Sequence, residues 1–113
     1  MRKRAPFGVR YSRDMSALLI VSYDVSDPDG YAQYNPGSLE QIFATVAKHG
    51  GQALAAGPPE VVVGSMEHTV VCISFPDVDA AQAWLADDEY APFKAIRHNS
   101  TSNIKEYIVP GLG

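Results

Sequence analysis

Arg97 is the one arginine that follows the first fourteen residues of this 113-residue sequence, and its chemistry suits an anionic ligand. Its planar guanidinium can hydrogen-bond a carboxylate or enolate oxygen of a small molecule. Arg97 also stands near the end of a predicted helix, where a cation is favourable in any protein because it offsets the helix dipole. The sequence therefore leaves two roles open: a ligand contact, or a helix-end arginine that pairs with the last carbonyls or with Glu89.

Several aromatic residues with hydrogen-bonding groups accompany this arginine. Aromatic residues at helical spacing usually belong to the core, but a buried tyrosine or tryptophan needs a partner for its O–H or N–H group. Together with an arginine, such residues are also typical of a cleft for a small planar or carboxylated ligand. Ser22 and Asp24 lie two residues apart in a predicted strand, so they share a face and are candidates for the polar end of that cleft. The predicted ligand-binding residues are Ser22, Asp24, Tyr31, Tyr34, Trp84 and Arg97.

Asp24 and His68 are the candidates for a catalytic role, which would be proton transfer. Asp24 has no basic partner beside it in the sequence, and His68 opens a predicted strand, where it can face the mouth of a pocket. No histidine pair has the i, i+4 spacing of metal ligands on a helix, and Cys72 is the only cysteine, so no metal site is predicted. We find no phosphate-binding loop, dinucleotide fingerprint or Ser-His-Asp arrangement, and we expect no cofactor.

The distribution of charge divides the chain near residue 14. Residues 1–14 are rich in arginine and lysine, whereas the rest of the chain is acidic and the whole sequence carries a net charge of −4. An acidic domain repels phosphate backbones, so we expect no nucleic-acid partner. Because residues 1–14 lack apolar periodicity, we predict a disordered basic extension followed by one domain at 15–113. An electrostatic arm is the alternative for the extension.

Composition and hydropathy indicate where the protein resides. The sequence is 46% hydrophobic, which is enough for a core that needs no disulfides. No segment approaches the ~20 apolar residues that span a bilayer, and no apolar run of signal-peptide length follows the basic start. We therefore predict a cytoplasmic protein with no membrane partner.

Apolar periodicity and turn signals predict the order β-α-β-β-α-β. Two apolar runs rich in β-branched residues, at 17–25 and 68–75, are typical of strands. Amphipathic helical segments follow each run, extended pieces are predicted near 52–55 and 60–63, and 103–109 is the last strand. This order is that of a ferredoxin-like α+β fold, with a four-stranded antiparallel sheet and the helices on one face.

The two central strands are apolar on both faces, which predicts a partner subunit. An antiparallel sheet with one face in water should alternate apolar and polar residues. Residues 18–21 and 70–73 do not alternate, and the chain has no spare element to cover the second face. Since an exposed apolar patch of that size is unusual in a soluble monomer, we predict a homodimer that forms through the sheet.

Three stretches of the sequence resemble a known family. They are ALLIVSYDVSDPDGY (17–31), GGQALAAG (50–57) and FPDVDAAQAWLADDEYAPFKAIR (75–97), and they look like the small bacterial family called domain of unknown function 1330. The resemblance extends over roughly residues 17–111 and implies a dimeric α+β barrel, in which two ferredoxin-like sheets pack face to face. The positions that match the family pattern are Asp24, Tyr31, Trp84, Tyr90 and Arg97.

The resemblance does not select a reaction, because similar folds serve oxygenases, isomerases, haem enzymes and ligand sensors. Where many members of the family carry charged residues, this sequence has Ser22, Ser74, Ala56, Thr69 and Thr101. We therefore predict a homodimer that binds a small organic ligand between sheet and helices, with an anion as one option for that ligand. Two alternatives stay open: a cofactor-independent oxygenase or isomerase, and a structural dimer with no ligand.

Overall fold

The computed structural model describes residues 16–112, which form a four-stranded antiparallel sheet with helices packed against it. The strand order across the sheet is β2-β3-β1-β4, so β1 and β3 are central. The predicted ferredoxin-like α+β fold is confirmed. In chain order the elements are β1 Ala17–Val25, α1 Pro28–Ala32, α2 Leu39–Lys48, β2 Gln52–Gly57, β3 Thr69–Phe75, α3 Val78–Leu85, α4 Ala91–Ser100 and β4 Thr101–Pro110.

The residues outside this range include the predicted basic extension. Residues 1–14 lie outside the described part of the chain, so their separation from the domain stays a prediction. Within residues 16–112, none of the helices is both long and apolar enough to cross a membrane.

Side-chain caps begin two of the helices as their sequences predict. The Asp27 carboxylate accepts a hydrogen bond from the Gly30 N–H at the start of α1, and Asp77 accepts one from Ala80 at the start of α3. Ser38 and Gln41 have the spacing of a capping box at the start of α2, but the Ser38 side chain makes no cap hydrogen bond. The Ser38 hydroxyl instead donates to the carbonyl of Gln33, because the preceding turn brings that carbonyl within 2.7 Å.

The segment between β2 and β3 differs from the prediction. Residues 60–63 are not a strand but part of an irregular connection at 58–68. Its Val62 and Val63 are 85% and 91% exposed. β propensity alone does not make a strand here, because no strand of the described chain pairs with these residues.

The double glycine at 50–51 fits a tight turn between α2 and β2. Gly50 has a φ of +73°, a backbone conformation that side chains with a Cβ rarely adopt. A Cβ on Gly51 would lie 2.6 Å from the ring of Phe75 and 2.8 Å from Val46. A Cβ at either position would lie less than 3.0 Å from a neighbouring side chain, so the packing of this turn would have to shift.

The two faces of the sheet have different environments. On the face that the helices cover, Leu19, Val21 and Tyr23 of β1 are buried, as are Ile73 and Phe75 of β3. The opposite face, which we call the open face, has no helix over it in the described chain. Its apolar side chains are only partly buried or exposed, and they are Leu18, Ile20, Val70, Cys72, Tyr107 and Val109.

A β-bulge interrupts the pairing of β4 with β1. Ser22 pairs with Lys105, but Asp24 pairs with Ser102, so β4 contains one extra residue between these pairs. Asn103 lies at this point with a φ of +54°, and asparagine tolerates that conformation better than most residues. Its side-chain amide donates to the Asp24 carboxylate.

Asp87 connects the end of α2 to the turn between α3 and α4. Its carboxylate accepts from His49 Nε2 at 2.6 Å, from Lys48 Nζ at 2.9 Å and from the backbone N–H of Glu89 at 2.8 Å. These hydrogen bonds, that of His49 first, hold the pKa of Asp87 below its ordinary value of 3.8.

We expect Asp87→Asn to lower the melting temperature at neutral pH, because an amide cannot match the positive charge of Lys48. Since the pKa of Asp87 is depressed in the folded state, its stabilisation is present above 3.8 and is lost as the pH falls through the lower folded value. The difference between wild type and variant should therefore narrow in acid, as measured by circular-dichroism melting at several pH values. Asp88→Asn, at an exposed neighbouring position, is the matched control. An equal loss at every pH would contradict the ionic role of Asp87.

Candidate functional site

A cavity of ≈ 260 Å³ lies between the sheet and the helices. Strands β1 and β3 supply its floor through the alternate residues that face the helices, such as Val21 and Val71. Helix α2 supplies an apolar wall, and the edge strand β2 forms the rim near Ala56. The polar and aromatic side chains of the lining are Tyr23, Tyr31, Tyr34, Asn35, Thr69, Trp84, Tyr90 and Arg97.

Two pairs of tyrosines join their hydroxyl groups in this cavity. The hydroxyls of Tyr23 and Tyr31 are 2.7 Å apart, and those of Tyr34 and Tyr90 are 2.9 Å apart. Burial is the main cause of a raised pKa for both Tyr23 and Tyr34, and the neighbouring hydroxyl raises each further. These two phenols therefore stay protonated and act as hydrogen-bonding groups rather than as bases.

Trp84 is fixed by a hydrogen bond and by stacking. Its Nε1 donates to the Thr45 hydroxyl at 2.9 Å, and that hydroxyl donates to the carbonyl of Ile42. The indole stacks on the ring of Tyr90, with 4.0 Å between centroids. The buried N–H is thus satisfied within the core, and Trp84 presents only an aromatic surface to the cavity.

Arg97 points inward, and its side chain is only 3% exposed. Its Nη2 donates to the Glu106 carboxylate at 2.7 Å, and its Cζ lies 5.7 Å from the centroid of the Tyr23 ring. Nη1 is buried and has no hydrogen-bond partner among the described residues. Burial opposes the charge of Arg97, but the nearby Tyr90 hydroxyl and Glu106 outweigh it and raise the pKa of the guanidinium.

Arg97 therefore does not have the helix-end role that the sequence left open, because its side chain pairs with Glu106 inside the domain. The Ser100 hydroxyl donates to the carbonyl of Ile96, and the Thr101 hydroxyl donates to that of Arg97, so side chains already satisfy the end of α4. Glu89, the other partner that the sequence left open, does not pair with Arg97 either. Glu89 pairs with Lys48 on the outer surface.

The structure brings four of the six predicted ligand-binding residues to one cavity. Tyr31, Tyr34, Trp84 and Arg97 all line it. Two further aromatic residues complete the set, and neither was among the six predicted residues: Tyr23 and Tyr90.

Ser22 and Asp24 lie on the open face instead, so their assignment to the same cleft was wrong. They do share a face, but residues of β1 alternate, and Tyr23 between them points to the cavity. The Ser22 hydroxyl donates to Glu67 at 2.7 Å. Asp24 accepts from the backbone N–H of His68 at 2.8 Å, so neither proton-transfer candidate borders the cavity.

Glu106 belongs to the candidate site as the partner of Arg97, although it was not predicted from the sequence. Its neighbours on the same face of β4 are Ile104 and Ile108, which pack against the core. A single carboxylate in an apolar row is costly to bury unless a cation pairs with it, so the pattern contained the signal. Burial acts to raise the pKa of Glu106, but the hydrogen bond from Arg97 outweighs it and lowers the pKa.

Metal binding finds no support in the described part of the chain. Residues 16–112 contain no group of three His, Cys, Asp or Glu side chains placed to hold an ion.

We expect Arg97→Ala to lower the free energy of unfolding by roughly 3 kcal/mol, because it leaves the carboxylate of Glu106 partly buried without its cation. The paired substitution Arg97→Met with Glu106→Leu should recover most of that loss, since it removes both charges and keeps apolar volume. Urea unfolding of the three proteins at neutral pH measures both effects. A loss under about 0.5 kcal/mol for Arg97→Ala would be that of an exposed helix-end arginine and would contradict the buried pair.

Solved structures share this fold at low sequence identity, and no curated protein sequence matches the chain. A protein of unknown function from Rhodopseudomonas palustris, RPA0582, has a TM-score of 0.69 and 14% identity, covering 89% of this chain and 85% of its own. A dimeric protein of unknown function with a ferredoxin-like fold, from Bacteroides fragilis, has a TM-score of 0.62 and 14% identity, with 90% and 100% covered.

A third neighbour is named for an activity. SnoaB, a cofactor-independent oxygenase from Streptomyces nogalater, has a TM-score of 0.60 and 12% identity, covering 86% of this chain and 93% of its own. At such identities the three likenesses establish the fold. The sequence itself matches the profile of a domain of unknown function, DUF1330, over residues 16–112. The resemblance noted from the sequence is thereby confirmed, and the chain belongs to the DUF1330 family.

Proposed function

We propose that this protein binds a small, flat and mainly apolar organic ligand in the cavity between sheet and helices, and that the ligand presents an oxygen acceptor to Arg97. The observation that carries the proposal is the lining itself: apolar and aromatic walls around one buried guanidinium, whose Nη1 has no hydrogen-bond partner among residues 16–112. Ligand sites typically combine such walls with a few fixed polar groups. A structural dimer with no ligand gives no reason to keep an unpaired guanidinium nitrogen in its core.

The size of the cavity limits the ligand. Its ≈ 260 Å³ is somewhat below the ~300 Å³ at which sites for drug-sized ligands begin. It is larger than an apolar cavity of about 150 Å³ that admits benzene in another protein. A ligand with one ring or two fused rings therefore suits the space, and Trp84 and Tyr23 offer it aromatic surfaces.

A cofactor-independent oxygenase or isomerase is the second candidate, favoured by the likeness in fold to SnoaB. Such chemistry needs a proton to leave the substrate, and the described lining contains no aspartate, glutamate, histidine or cysteine. Asp24 and His68 stand on the open face, outside the cavity. We therefore propose binding as the function of this site, with catalysis confined to substrates that lose their proton without a protein base.

We expect 2-naphthoate and benzoate to raise the melting temperature of the wild-type protein, because a ligand that binds only the folded state stabilises it. Ala56→Trp should abolish the shift, since this exposed residue at the rim can carry a large side chain across the cavity. Thermal-shift titration of each compound measures the effect.

The matched control is Ala47→Trp, which adds the same side chain at an exposed position of α2 outside the cavity lining. It should keep the ligand-dependent shift of the wild type. If neither compound moves the wild-type transition, or if Ala56→Trp responds as Ala47→Trp does, the cavity is not the binding site.

We also propose that a second copy of the chain covers the open face of the sheet. Tyr107 and Val109 are 54% and 44% exposed there, and Ile20 and Cys72 form an apolar pair between the two central strands. The dimeric neighbour from Bacteroides fragilis supports this proposal through its shared fold.

We also propose that the protein resides in the cytoplasm, as predicted from its composition and hydropathy.

We expect Cys72→Asp to convert the dimer to monomer, because a charge placed on this face would be buried without a partner in the assembly. Light scattering at micromolar concentration gives the molar mass. Ala83→Asp, at an exposed position of α3, is the control and should leave the mass unchanged. A wild-type mass near the 12.2 kDa of one chain would refute the dimer.

A further inference from the structure

We propose that the cavity takes its ligand as an oxyanion that has already formed in water: a carboxylate, or the anion of an acidic phenol or enol. The inference rests on the proposed function and adds the ionisation state of the ligand. It follows from three properties of the cavity. Its lining has a surplus of hydrogen-bond donors, its described lining contains no base, and the carboxylate of Glu106, which balances the charge of Arg97, lies outside it.

The first property is a surplus of hydrogen-bond donors. A guanidinium only donates, and Nη1 of Arg97 has no acceptor among the described residues. In each tyrosine pair one hydroxyl donates to the other, and the accepting hydroxyl keeps a hydrogen that the pair does not use. No carboxylate lines the cavity to take these hydrogens. A ligand oxygen with several lone pairs and no hydrogen is the group that satisfies them.

The second property is that nothing in the described lining can remove a proton from the ligand. Carboxylate, imidazole and thiol groups are absent from it, and the pKa values of Tyr23 and Tyr34 are raised by burial. A neutral acid that entered would therefore keep its proton and compete with the tyrosine hydroxyls as one more donor. The ionised form accepts more hydrogen bonds from these donors than the neutral acid does, and it adds no donor of its own.

The third property is the asymmetry of the Arg97–Glu106 pair. Glu106 neutralises Arg97 formally, but its side chain is 24% exposed and does not line the cavity, whereas that of Arg97 is 3% exposed and does. Water screens the carboxylate more than the guanidinium, so a group in the cavity experiences a net positive field. His98 stands 3.7 Å from the same carboxylate on the outer side, and a protonated His98 would strengthen that field.

The probe that tests the inference is 4-nitrophenol, a single flat ring whose anion and neutral form absorb at different wavelengths. We expect its pKa to fall by at least one unit when it is bound to the wild-type protein, which means that the anion binds about tenfold more tightly than the phenol. A spectrophotometric pH titration with and without excess protein measures the shift. The Arg97→Met, Glu106→Leu double variant should bring the pKa of the bound probe back to its value in water or above it.

The comparison probe is 4-nitroanisole, which has nearly the same shape and cannot ionise. If both probes bind but the pKa of 4-nitrophenol is unchanged or raised, the oxyanion inference is overturned and the proposed binding site stands. If neither probe binds, the proposed function fails, and the inference fails with it. Tyr34→Phe supplies a finer readout, because the loss of one hydroxyl should reduce the pKa shift without abolishing it.

Discussion

The ion pair between Arg97 and Glu106 constrains the geometry of the site more than any other contact. A guanidinium this deeply buried requires an acceptor, and the acceptor comes from the strand that follows its own helix. Because α4 ends at Ser100 and β4 begins at Thr101 with no loop between them, the pair also joins the last helix to the strand that follows it directly. The cavity, the tyrosine pairs around it and the unused guanidinium nitrogen all lie on the inner side of this pair.

The fold was predictable because its signals are local and agree with one another. Capping aspartates begin α1 and α3, glycines end α2, and the apolar runs of β1 and β3 are long enough to be central strands. The exceptions are positions where tertiary contacts decide. Residues 60–63 have strand-forming composition but no partner strand within residues 16–112, and the Ser38 hydroxyl donates to the Gln33 carbonyl instead of accepting from the first turn of α2.

The site was predictable only in part, and the reason lies in the same apolar runs. Since β1 is apolar on both faces, its sequence does not indicate which of its two sets of alternate residues faces the helices. Ser22 and Asp24 were rightly placed together, yet on the face away from the cavity, while Tyr23 turned inward. The inward direction of Arg97 required knowledge of its partner, and Glu106 was recognisable only as a lone carboxylate among the isoleucines of β4.

The bulge at Asn103 determines which charged residue of β4 lies beside Arg97, because it sets the pairing register of the strand. Beyond it, Glu106 is opposite Val21 and Lys105 is opposite Ser22 on the other face. Had the pairing continued in the register of Asp24 with Ser102, Lys105 would occupy the place of Glu106. Arg97 would then meet a like charge in a buried setting, and the acidic side chain would face outward. By absorbing the extra residue, the bulge keeps the carboxylate of Glu106, rather than the ammonium of Lys105, opposite Val21 and on the side of Arg97. Removal of the extra residue itself would leave Glu106 in that place, so the sign of the charge beside Arg97 depends on where β4 departs from regular pairing.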